Sequence, residues 1–249
     1  MNSYLYYSFY ITCSFLVTTG TITFIEALRT DIVPMRHILN LETCISIVAA
    51  YFYGKFIEMI DSSIEETKET KETKETNENN ENKKIEESQK VESELQRKIN
   101  ITRYVDWMIT TPIMLLVLIL ALRFNIGKTG VKLMDYVVIL ILNYAMLGVG
   151  YLGEVGTLDR IIANLIGFVF FAGLYGYIYW RYMRNNKGEL TNNMTNKLLY
   201  LAFFILWSFY GIFYQMKDEA KNMGYNVLDL FSKCFVGIYF WSCSSNIFL

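Results

Sequence analysis

Asp229 and Lys233 stand four residues apart in an otherwise apolar run from Val227 to Trp241, a spacing that puts both on one face of a helix. Arg103 and Asp106 stand in a second apolar run, followed by Trp107, Thr110, Thr111 and Pro112. A charge deep in a bilayer costs about 2.5 to 3.5 kcal/mol on insertion scales, so such groups are functional candidates by default. A lysine kept in a dry pocket can lose its proton and condense with a carbonyl to form a Schiff base. Once protonated, that nitrogen is a buried cation and needs a carboxylate opposite it. Asp106 and Asp229 fit that need.

The elements that position these groups must lie in a membrane. Of 249 residues 53% are hydrophobic and only 19% charged, with mean hydropathy +0.25, against about one quarter charged in ordinary soluble domains. Residues 61 to 98 hold 12 of the 24 acidic and 8 of the 23 basic side chains, which leaves the rest of the chain still more apolar. A formal net charge of -1 excludes a strongly basic nucleic-acid binder. Cys13, Cys44, Cys234 and Cys243 lie in apolar runs, without a CxxC pair or a Cys/His cluster, and His37 is the single histidine. Neither a disulfide framework nor a metal site is expected.

A bilayer core of roughly 30 Å takes about 20 apolar residues per helical crossing. Seven runs qualify, approximately Tyr4 to Leu28, Met35 to Ile60, Ile101 to Leu122, Met134 to Leu152, Ile161 to Tyr182, Lys197 to Met216 and Val227 to Trp241. The first has no basic leader and no small-residue cleavage site, so it reads as a retained span. Short loops after runs one, three and five carry nine Lys and Arg, against three after runs four and six, which places the N-terminus outside and the C-terminus in the cytoplasm. The expected fold is an all-α, seven-helix bundle in one domain of residues 1–249, integral to the membrane. A charged insert at about 61–99 would lie outside, between helices two and three. Its Lys-Glu-Thr repeat and Asn/Glu tract at 68–82 predict disorder. The segment 83–98 predicts a helical lead into the third span, because Glu86/Lys90 and Glu94/Lys98 pair favourably and Val91, Leu95 and Ile99 share a face.

Four stretches in four helices resemble microbial (type 1) rhodopsins. Arg103-Tyr104-Val105-Asp106-Trp107-Met108-Ile109-Thr110-Thr111-Pro112 resembles the family's third-helix signature, and Leu228-Asp229-Leu230-Phe231-Ser232-Lys233 the retinal-attachment signature of the seventh. Trp207-Ser208-Phe209-Tyr210 with Tyr214 is similar to the sixth-helix aromatic box, and Met146-Leu147-Gly148-Val149-Gly150 to the fourth-helix part of the pocket. The resemblance implies all-trans retinal, held on Lys233 as a protonated Schiff base, with Asp106 as primary counter-ion and proton acceptor and Asp229 as second counter-ion. It further implies that Arg103 steadies both carboxylates and gates the path, and that Thr110 holds Asp106. Trp107, Thr111, Met114, Met146, Gly150, Trp207, Tyr210 and Tyr214 would complete the pocket. Flat aromatic faces suit a conjugated chain, and the glycines leave room for its ring.

Departures from the proton-pump pattern bear on function. Val117 stands where pumps of the family usually have a carboxylic proton donor, Lys221 where a proton-releasing glutamate is common, and Gly211 replaces the sixth-helix proline. Asn143 takes the place of a fourth-helix acid, and Asn164 that of a fifth-helix tryptophan. Glu42 in the second run, beside Thr43, could line a water-filled ion path or simply hydrogen-bond to a neighbouring helix. With the short N-terminus and the missing donor, these features are similar to the first group of rhodopsins from large DNA viruses of algae, several of which are light-gated cation channels. The resemblance therefore implies a light-gated cation channel, in which a proton moving towards Asp106 relaxes Arg103 and opens a path past Glu42. An outward proton pump and a sensory photoreceptor are the alternatives. The expected partners are retinal, the lipid bilayer and small cations or protons, with a homo-oligomer possible in this family. No enzymatic activity is expected.

Overall fold

A computed structural model describes residues 3–73, 81–184 and 193–245. Among them every regular element is helical: α1 (Ser3–Arg29), α2 (Val33–Thr73), α3 (Glu81–Phe124), α4 (Leu133–Glu154), α5 (Arg160–Tyr182), α6 (Met194–Tyr214), α7 (Asp218–Asp229), a π turn (Leu230–Phe235) and α8 (Val236–Ser244). The first six contain stretches long and apolar enough to cross a bilayer. The seventh crossing is a composite, in which α7, the π turn and α8 run on without a break. Asp229, Leu230, Phe235 and Val236 at the junctions all keep right-handed helical dihedrals. Each helix packs on its successor, and the seventh rod returns to α1 and α2, closing a ring.

The polarity of this bundle is that of a protein whose solvent is lipid. Arg103, Asp106, Lys221, Asp229 and Lys233 are at most 1% exposed, whereas Leu165 and Val169 are 63% and 70% exposed. A soluble domain would reverse that placement. The chain is an integral, multi-pass membrane protein.

Two local features depart from simple helices. Pro112 inside α3 has no N–H to give to the Met108 carbonyl one turn back, and the Tyr144 hydroxyl from α4 donates to that oxygen instead, at 3.2 Å. The insert is the other. The predicted disorder at 68–82 is corrected at both edges: α2 continues to Thr73 and α3 begins at Glu81. Glutamate and lysine propagate helices well, and an established helix extends at little cost because nucleation is already done. Residues 74–80 lie outside the described residues. The α3 extension packs through Leu95 and Ile99 against the apolar cluster of Phe56 and Ile60 on α2, so the shared face of Val91, Leu95 and Ile99 has a physical purpose.

Candidate functional site

Lys233 lies within the π turn, its side chain 1% exposed. Its Nζ is 2.8 Å from Oδ2 of Asp106 on α3 and 3.3 Å from Oδ2 of Asp229, one turn away on its own rod. The two carboxylates are unequally served. Asp229 also accepts from the Tyr210 hydroxyl at 2.6 Å and the Tyr53 hydroxyl at 2.9 Å, whereas Oδ1 of Asp106 is buried without a hydrogen-bond partner. Asp106 is therefore the less well compensated of the two anions.

Arg103 is placed differently from the expectation. Its guanidinium donates from Nε to Asn222 at 2.8 Å and from the two terminal nitrogens to Asn226 and Tyr53. It reaches Asp229 through Tyr53, and its charge is cushioned by the rings of Phe9, Tyr53, Phe56 and Tyr225 at 4.9 to 5.6 Å. Such aromatic faces attract a cation where water is excluded. Tyr53 has one hydroxyl proton and two acceptors within reach, Asn226 at 3.0 Å and Asp229 at 2.9 Å; the ionised acceptor makes the stronger bond. Thr110 also differs from its expected role. Its hydroxyl donates to the main-chain carbonyl of Asp106 at 2.9 Å, not to the carboxylate, the usual backward bond of a helical threonine. Thr111 likewise donates to Trp107, and Asn143 donates to Thr111 at 2.9 Å, tying α4 to α3.

Beside Lys233 a cavity opens among α3, α4, α5, α6 and the seventh rod. Trp107, Thr111, Met114, Met146, Gly150, Trp207, Tyr210 and Tyr214, all singled out in the sequence, line it together with Lys233. Phe168, Phe171, Gly211 and Tyr225 add to the wall. Gly211 faces the Phe168 ring so closely that a β-carbon would overlap it, at 2.6 Å. The walls are apolar and aromatic, and a primary amine closes one end beside a carboxylate. That donor set fits a long apolar aldehyde: rings to hold the hydrocarbon, an amine to bind the carbonyl carbon, and anions for the charge that results.

Glu42 lies outside this cavity. It is 1% exposed, with Oε2 lacking a partner, and Ser46 one turn on has an unpartnered hydroxyl. A β-carbon on Gly237, four residues past Lys233, would come 2.7 Å from Thr19 Cγ2 and 3.6 Å from Glu42 Oε2. The absent side chain at 237 thus brings the seventh rod against α1 and α2 beside the buried acid. Sequence reasoning passed over Tyr53, Asn222 and Asn226. The signal was present on the seventh rod, where Asp218, Asn222, Asn226, Asp229 and Lys233 recur at intervals of three and four as one polar stripe.

A seven-rod membrane bundle with a buried lysine facing two carboxylates at the end of an aromatic cavity is the arrangement of a microbial rhodopsin. The chain belongs to the bacteriorhodopsin-like protein family, whose sequence pattern matches residues 5–247, and whose chromophore is retinal. It is similar to the solved structure of viral rhodopsin OLPVRII, with 49% identity and a TM-score of 0.78 over 98% of this chain and 99% of that one. Halorhodopsin, a light-driven chloride pump, shares the fold at 15% identity and a TM-score of 0.69, over 99% of this chain and 97% of the other. The blue-light absorbing proteorhodopsin of Gamma-proteobacterium Hot 75m4 is 27% identical over 154 residues, 56% of this chain and 59% of that protein. The match thus spans less than two thirds of the curated relative.

Proposed function

We propose that the chain is a light-activated retinal protein that moves ions, with Lys233 as attachment site, and that it works as a light-gated cation channel. The observation that carries the first part is the Lys233 amine set between Asp106 and Asp229 at the end of the aromatic cavity. Retinal, when bound, supplies visible absorption and a light-driven change of shape. Trp107, Trp207, Met114, Met146 and Tyr214 hold the hydrocarbon, and Gly150 leaves space beside Tyr104. Asp106 takes a proton from the Lys233 nitrogen at Oδ2, which lies 2.8 Å from it, while Asp229 keeps its negative charge under the Tyr210 and Tyr53 hydroxyls. The field that held Arg103 between Asn222 and Asn226 then changes, and the hydrogen bonds of Arg103 are free to rearrange. Glu42 and Ser46, buried with unsatisfied oxygens between α1, α2 and the seventh rod, are groups that water or a cation would satisfy on entering. This supports a path on that side.

An outward proton pump is the second reading, favoured by a different observation. The chain of polar side chains from Lys233 through Arg103 leads towards one end of the bundle, and the apolar group of Val117, Leu118 and Leu39 does not continue it towards the other. Voltage-clamp recording under illumination separates the two. A channel's current reverses at a potential that follows the cation gradient, and Glu42→Gln lowers it several-fold; a pump's current stays outward over the usual range. Current unaltered by Glu42→Gln removes that residue from the path. A pigment without current is the signature of a sensor.

A further inference from the structure

Lys221 is fully buried, eight residues before Asp229 on the seventh rod, and none of the chemistry at Lys233 uses it. Its Nζ is 2.8 Å from Oε1 of Glu154, at the end of α4, and 2.8 Å from Oδ1 of Asp218, at the start of α7. Arg160 stands 3.8 Å from the other oxygen of Glu154. Two acids and two bases therefore close this mouth as a neutral cluster. It reaches the surface through Asp218, whose side chain is 46% exposed.

The cluster is wired to the centre. Arg103 donates to Asn222 at 2.8 Å, Asn222 to Asn100 at 3.0 Å, and Asn100 to Asp218 at 3.1 Å. The direction of these bonds is forced by the ends: guanidinium can only donate and an ionised carboxylate can only accept, so each amide between them must present oxygen inward and nitrogen outward. Such a chain is polarised along its whole length. It joins Arg103 to Asp218 without a titratable group between them.

We propose that Glu154, Lys221 and Asp218 form a salt lock at this mouth, which keeps both carboxylates ionised and leaves the mouth with no stored proton to release. Lys221 is a positioning residue that sets the order of proton movements. Under the light-driven transport reading, on which this consequence rests, protons are taken up before any is released. The groups facing the lock agree with that assignment. Glu154 lies near the hydroxyls of Tyr104 on α3, Tyr214 on α6 and Tyr225 on α7, and near Arg160. Asp218 faces Asn100, Lys221 and Arg160. Each carboxylate thus has a cation beside it, and the two face each other across Lys221. Remove Lys221, and two like charges flank one vacated position, where they share a proton.

Infrared difference spectroscopy tests this in the full chain, without light and without retinal. At neutral pH the wild type minus Glu154→Gln and minus Asp218→Asn spectra should contain ionised carboxylate bands only. Lys221→Gln should gain a protonated-carboxyl band that disappears in Lys221→Gln/Glu154→Gln, and Lys221→Arg should match the wild type. A protonated carboxyl assigned to Glu154 or Asp218 in the wild type overturns the proposal, even if Lys221→Gln fails to fold. So does a folded Lys221→Gln that gains no such band. In the pigment, a pH-indicator dye after a flash should report uptake first in the wild type and release first in Lys221→Gln; release first in the wild type also overturns it. If no pigment forms, the transport reading fails while the infrared result still decides the lock.

Discussion

At Lys233 one ammonium faces two carboxylates, and the excess negative charge is balanced by Arg103 through Tyr53 and the asparagines, not by direct contact. Three predictions follow from that arrangement. Lys233→Ala mixed with retinal should show no visible band, since among the described residues no other lysine lines the cavity; an absorption spectrum decides it. Asp106→Asn should still form pigment but move the band to longer wavelength, because the lost carboxylate favoured positive charge at the nitrogen, where the ground state keeps it. Tyr53→Phe removes a buried donor to Asp229 and leaves an acceptor short of a partner, at a cost of about 1 to 3 kcal/mol. Its thermal unfolding in detergent should fall while Tyr210 still holds the other oxygen. Lys233, Asp106 and Asp229 were legible because a charge in an apolar run is conspicuous. Tyr53 was not, since a tyrosine in a chain with 19 of them carries no signal until the fold brings it to a carboxylate.

Among the elements, the seven apolar runs and their order were readable from length alone, because the thickness of a bilayer fixes how many residues a crossing needs. The π turn was not. An i→i+5 step is one extra residue in an otherwise helical pattern, decided by what the rod packs against, and Lys233 sits inside it. Close contacts between helices were equally silent. Gly224 on α7 faces the ring of Phe213 on α6 with no room for a β-carbon, yet in the sequence it reads only as a weak helix former. Gly224→Ala should therefore destabilise the bundle by about 1 to 3 kcal/mol through overpacking, despite alanine's better helix propensity. Adding Phe213→Leu should restore part of the loss, because the two sites share one contact. Unfolding temperatures of the two single variants and the double variant form the cycle. Additive losses would mean that the ring moves aside freely.

For the whole molecule, the polar side chains that run from Lys233 through Arg103, Asn222 and Asn100 end at the salt lock, so acid should act first at that mouth. Asp218 is the exposed member of the salt lock, ahead of the seventh apolar run. Burial alone would raise the Asp218 carboxyl, but the hydrogen bond and charge of Lys221, with the Asn100 amide, outweigh it and hold the group below the usual carboxylate range. The sign follows from linkage. A carboxyl whose value is lower folded than unfolded adds stability above its unfolded value, about 3.9 for aspartate, and that stability is lost as pH falls through the lower folded value. Thermal stability should thus be level through neutral and mildly acidic pH as far as this group is concerned, and should decline below about pH 4. Asp218→Asn should flatten that decline and start from a lower plateau, since asparagine keeps the shape without the charge facing Lys221. A melting series across that window, with Asp218→Asn beside the wild type, measures both. An equally steep fall in the variant would assign the acid sensitivity to another carboxyl, and would mean that the contact between Asp218 and Lys221 adds nothing to the fold.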